Sequence, residues 1–198
     1  AGRIRKVLDA AGERIAAVGG LMPFYEAPLG PDWDDTVQAT CAALARRERS
    51  GFKLRCGGVE AATFPSPAQV ALALLACRDA GVPLKATAGL HHPIRHFSSS
   101  VQTKMHGFLN VFGAGLLAHI YHLSLEETAT ILADEDSLHF TFTSHDFSWK
   151  RFHITAEHID MLRQRALISY GSCSFNEPRA DLRAMGLLAQ VPQKDNAA

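Results

Sequence analysis

The sequence predicts an α/β protein built from parallel β/α units. Two observations carry this. Short apolar runs bounded by Gly and Pro alternate with helix-length segments through residues 21–121. Within those runs, charged residues fall on one phase of the strand alternation. The composition suits such a domain, since 198 residues, 47% hydrophobic and 20% charged, can bury a real core.

The elements follow in order. Ile4, Val7, Leu8, Ala11 and Ile15 have helical spacing over 3–18, and Gly19-Gly20 ends that helix. LMPFYEAPL reads as a first buried strand. Asp32 caps a helix over 33–49, and FKLRCGG is the second strand. Ser66 as N-cap, Pro67 as first helical residue and Gly81 as stop delimit the next helix. VPLKATAG is the third strand, followed by a long apolar helix over 101–121.

The alternation then breaks. Ser124 with Glu127 forms a capping box for a short helix. Phe140 and Phe142 alternate with Thr141 and Thr143, the chain turns at Ser144-His145-Asp146, and it returns through Phe147, Trp149 and Phe152 as a β-hairpin. A helix over 156–166 leads to a last strand near 167–173. The expected organisation is a β/α unit over 1–122 and 165–190, an inserted helix and hairpin over 123–164, and a flexible tail over 191–198.

The strand faces choose the architecture. Phe52, Leu54 and Cys56 point one way, and Lys53 and Arg55 the other; Lys85 and Thr87 share a face, as do Phe24 and Glu26. An open sheet covered on both sides would bury these charges at a cost. A (β/α)8-barrel interior accepts polar side chains near its catalytic end. The expectation is a TIM-barrel type, with Glu26, Lys53, Arg55 and Lys85 on one inner face. The strands found amount to half a barrel. That fits a missing N-terminal half, suggested also by the Ala1 start, or the pairing of two half-barrels in a homo-oligomer, or a smaller sheet.

Charge excludes several classes. Twenty basic and twenty acidic side chains balance, and no basic run suggests nucleic acid or a membrane surface. No apolar segment is long enough for a membrane span. The charged, amphipathic N-terminal stretch is unlike a signal peptide. Cys41, Cys56, Cys77 and Cys173 form no CxxC pair. Cys41 and Cys77 read as small core residues, and the chain as cytoplasmic with reduced thiols.

Lys85 leads the chemistry. Schiff-base formation needs a neutral amine, which burial or a second cation favours, and Lys53 and Arg55 supply that cation if their strand is adjacent. The stretch Lys85-Ala86-Thr87-Ala88-Gly89 resembles the strand motif of class I aldolases of the deoxyribose-phosphate type, and Lys53 ahead of Gly57-Gly58 resembles their second lysine. The lysine to Gly-Gly spacing is looser here, and the two strands come in reverse order. The resemblance implies a barrel enzyme with one Schiff-base lysine and one that tunes it. Phe24-Tyr25-Glu26-Ala27-Pro28-Leu29 also resembles a metal-binding strand of the enolase superfamily, in which Glu26 would hold magnesium; the further carboxylates of that family have no room between Glu26 and Lys53.

The histidines offer an alternative. His91, His92, His96 and His106 follow the third strand, at the end where parallel sheets place active sites. One divalent metal could take His91 and His92 with Glu26, although adjacent residues on an extended chain point apart. Otherwise His91 or His92 serves as general acid-base or anion contact. His96, His119, His122, His145, His153 and His158 read as surface or capping residues. GSCSFNEP ends the last strand and opens a helix, so Ser172 and Ser174 are candidates for binding an anion, as are Gly57 and Gly58. Cys173 could act as nucleophile with a histidine, but nothing local marks an activated thiol.

The expected function is an enzyme acting on a small anionic carbonyl compound, lyase- or aldolase-like, without a cofactor. Lys85, Lys53, Glu26, His91 and His92 are the catalytic candidates. Arg55, Gly57, Gly58, Ser172 and Ser174 are the anion-binding candidates. A metal-dependent hydrolase or lyase is one alternative. A non-enzymatic binding or assembly module, meeting its partner through the apolar helix GFLNVFGAGLLA, is another.

Overall fold

The computed structural model describes residues 2–189. The expected tail lies outside them. Four parallel strands form the central sheet: β1 (Phe24–Glu26), β2 (Gly51–Arg55), β3 (Leu84–Thr87) and β9 (Leu167–Gly171), in the order β1-β2-β3-β9. The order follows the chain without reversal, so among the described residues there is no doubly wound switch point. Among the described residues the sheet does not close into a full barrel.

Helix α1 (Gly2–Ala16) precedes β1; α2 (Trp33–Leu44), α3 (Pro67–Ala80), α4 (Phe108–Tyr121), α5 (Leu125–Ala133) and α6 (Ala156–Arg165) lie between the strands, and α7 (Asn176–Ala184) follows β9. Phe52, Leu54, Leu84 and Ala86 are at most 1% exposed and face the helical layer. Burying each of the larger ones contributes about 1.5–3 kcal/mol. Val37, Cys41 and Leu44 of α2 and Val70, Ala71, Leu74 and Cys77 of α3 complete this core. Cys41 and Cys77 do pack inside it, with their sulfurs 3.6 Å apart.

Local signals placed α3 and α5 well. Ser66 with Gln69, and Ser124 with Glu127, each form the full reciprocal capping box, and Gly81 ends α3 at φ 63. Elsewhere tertiary structure overrode the pattern. The helix expected over 101–121 begins only at Phe108. Before it lies a hairpin of β4 (His96–Ser98) and β5 (Thr103–Met105), turned by Gln102 at φ 53 with no glycine to announce it. The expected two-stranded hairpin is a three-stranded meander: β6 (Phe140–Phe142), β7 (Asp146–Trp149) and β8 (Phe152–Thr155). Its second turn uses Lys150 at φ 50, again without glycine, so two strands read as one.

The meander seats on α4. Gly113 gives the close approach, since a Cβ there would come 2.8 Å from Phe147 Cζ. Tyr121 donates its hydroxyl proton to the His153 carbonyl at 2.9 Å. Buried Asn110 stitches the layers together. Its Oδ1 accepts from Arg95 N–H, and its amide donates to the carbonyls of Ile131 and Asp134.

Candidate functional site

The second face of the sheet carries the charge. Parallel register sets Glu26 beside Lys53, Lys53 beside Lys85, and Lys85 beside Ser169; Arg55 pairs with Thr87, and Thr87 with Gly171. Residues paired in this way point to the same side. Lys53 and Lys85 are half-buried and Arg55 is exposed, so this face is open to solvent in part.

Charge pairing on the face is uneven. Glu26 Oε2 lies 2.8 Å from Lys53 Nζ, and Glu26 Oε1 accepts from Arg55 Nε at 3.3 Å. One carboxylate thus answers two cations. Lys85 has no ion-pair or hydrogen-bond partner for its amine among the described residues. The four residues expected together do share one face of the sheet, though no closed barrel interior is formed among the described residues, and Glu26 pairs with Lys53 and Arg55.

At the carboxyl ends of β3 and β9 a second group of side chains gathers. Ala88 and Gly89 leave β3 with φ of 62 and 68, both left-handed. For Ala88 this conformation is strained by about 1–2 kcal/mol. Gly89 needs its lack of a side chain, because a Cβ would lie 3.1 Å from Gly57 Cα and 3.2 Å from the Cys56 carbonyl. The reversal sends His91 and His92 toward α7. His91 Nδ1 is 3.0 Å from Glu177 Oε2, and His92 Nδ1 is 2.6 Å from Asp181 Oδ2. The hydrogen bond from His91 is the largest effect holding the Glu177 carboxyl below its ordinary range; the His91 charge, Ser174 and His92 act in the same direction.

Cys173 joins this group. Its sulfur lies 3.5 Å from His91 Nε2 and 3.7 Å from Nδ1. Cys56, at the end of β2, is different: burial pushes its thiol up to about 12, although the Thr87 backbone works the other way. It stays protonated at neutral pH.

The remaining candidates are held structurally. Ser172 Oγ accepts from Ser174 N–H, and Ser174 Oγ accepts from Glu177 N–H, which ties down the start of α7. Gly57 and Gly58 make room for Phe64 and Thr63, whose atoms a Cβ would meet at 2.4 and 2.5 Å. His106 is fully buried, with Nε2 2.6 Å from the Pro65 carbonyl. His96 packs edge-on against His92 at 4.4 Å. Among the described residues no three His, Cys, Asp or Glu side chains converge as a metal-ligand set. Among the described residues no helix is long and apolar enough to cross a membrane.

No protein-family model, curated protein or solved structure matches this chain.

What the residue pattern missed was the acidic side of the site. Glu177 and Asp181 stand four apart and therefore share one face of α7. That spacing is a usable signal: two acids on one helix face can meet two neighbouring histidines. Only the fold shows that α7 lies across from the exit of β3.

Proposed function

We propose that this chain is an enzyme acting on a small anionic carbonyl compound, with the Lys85 amine as the reacting group. One observation carries the reading: Lys85 stands in register between Lys53 and Ser169 with no carboxylate partner among the described residues, while Glu26 is engaged by Lys53 and Arg55. The three cations outnumber the one carboxylate on this face, which favours an anionic ligand. The Lys85 amine attacks the carbonyl carbon, a C–N bond forms, and the carbonyl oxygen leaves as water to give an iminium. The iminium then withdraws electrons from the adjacent carbon, which suits aldol or lyase chemistry. In this reading His91 or His92 transfers the protons.

The test is borohydride reduction in the presence of pyruvate or dihydroxyacetone phosphate, followed by peptide mass mapping. The expected outcome is a stable adduct on Lys85, absent from a folded Lys85→Met variant. An adduct that persists in that variant, or none in the wild type with either probe, would sink the assignment.

A further inference from the structure

The second group of side chains has a chemistry of its own. It shares His91 with the amine reading but does not use Lys85 and does not depend on that reading. Of the four cysteines, Cys41, Cys56 and Cys77 are buried and Cys173 is exposed. Thr87 and Gly171 are register partners, so the exits of β3 and β9 leave the sheet side by side. The β3 exit brings His91 across through two consecutive left-handed residues, one of them the non-glycine Ala88. The β9 exit presents Cys173 on a short turn, held by Ser172 and Ser174 on either side. The first turn of α7 then delivers Glu177 to Nδ1 of the same imidazole. Backbone strain at such a junction of three side chains is where functional constraint concentrates.

We infer that Cys173, His91 and Glu177 form a thiol nucleophile site for acyl transfer, taking an ester or thioester as substrate. Glu177 accepts a hydrogen bond from Nδ1–H, which leaves the Nε2 lone pair toward the sulfur. The sulfur is almost equidistant from the two ring nitrogens, so it flanks the ring and must turn about χ1 to come in line. Longer, misaligned contacts of this kind are usual in unliganded nucleophile–base pairs.

The chemistry balances without a further reactant except water. His91 Nε2 takes the thiol proton as sulfur bonds to the acyl carbon. The carbonyl π pair moves to oxygen and returns, and the bond to the alcohol or thiol leaving group breaks. The leaving group takes the proton from His91. Water then attacks the acyl-sulfur intermediate with His91 as base, the C–S bond breaks as His91 returns that proton to the sulfur, and the carboxylic acid departs. Glu177 is a positioning residue, because it acts through His91. The other charged groups at this end of α7 are the His92–Asp181 pair and Arg179, whose guanidinium stacks 5.1 Å from the Phe175 ring.

The experiment is acylation of the full chain by p-nitrophenyl acetate, read as the initial burst and by mass mapping of the acetyl group. The expected site is Cys173, and Cys173→Ser loses the burst. His91→Gln slows acylation by about 100-fold or more. Glu177→Gln slows it less, and Glu177→Asp recovers part of the rate, with circular dichroism unchanged throughout. Lys85→Met leaves the burst intact, so the thiol site and the amine site stand or fall separately. Acetyl groups landing elsewhere, or a Cys173 rate that folded His91→Gln does not lower, would overturn the inference.

Discussion

His106 shows how one buried side chain couples to pH. It has no exposed surface, its Nε2 donates to the Pro65 carbonyl, and Arg95 Nη1 lies 3.3 Å from Nδ1. Burial, opposed by the Pro65 hydrogen bond and aided by the Arg95 charge, lowers its pKa from 6.5 to about 4. The unfolded chain therefore binds the proton more readily than the folded one. Stability is full above pH 6.5 and falls as pH drops toward about 4, by roughly 3 kcal/mol for a shift of this size. Urea unfolding at pH 7 and pH 4.5 checks it: His106→Gln should lose less stability between the two than the wild type does. Equal losses would mean that other groups carry the acid sensitivity. This role could not be read from the sequence, where His106 looked like one of four histidines near a strand end. Burial is a property of the whole fold.

At the scale of elements, Asp134 fastens the meander to the end of α5. Its carboxylate is 9% exposed and accepts from Trp149 Nε1 at 2.8 Å and from His139 Nδ1 at 2.8 Å, with Lys150 Nζ 3.4 Å away. Burial tends to raise its pKa, but the bonds from Asp136 N–H, Trp149 and His139, with the Lys150 charge, together hold it below the ordinary value. Asp134→Ala leaves an indole N–H without its partner and should cost about 2–3 kcal/mol. A lower denaturation midpoint together with a shifted Trp149 emission is the expected result; an unchanged midpoint would show that the meander is held by α4 packing alone. The Ser66 cap of α3 and the capping box of α5 were plain in the sequence because a cap is a local bond between residues three apart. The β4–β5 hairpin and the third meander strand were not. Their turns put Gln102 and Lys150, and no glycine, at positive φ, and neighbouring layers stabilise what local preference would not.

At the scale of the whole molecule, the sheet has an apolar face under helices and a charged face left open. The alternation of Phe52 and Leu54 against Lys53 and Arg55 made both faces legible beforehand. The partners of His91 and His92 were not, because α7 reaches them across more than eighty residues of chain. The charged face predicts its own response. Glu26→Gln leaves Lys53, Arg55 and Lys85 without a carboxylate and should tighten inorganic phosphate binding by about 3- to 10-fold, measured by titration calorimetry. Folding stability should change by less than about 1 kcal/mol, since these pairs are partly exposed. Unchanged phosphate affinity would mean that the face does not recruit anions. The strand order has a consequence during synthesis. β3 pairs with β2 as soon as both have emerged, but its other edge must wait for β9, about eighty residues later. At ribosomal rates that is about 4 to 16 s in which a row of unpaired backbone groups faces the cell. The nascent chain is then most open to edge-to-edge association, and a chaperone that covers a bare strand would raise the yield of folded protein most in that interval.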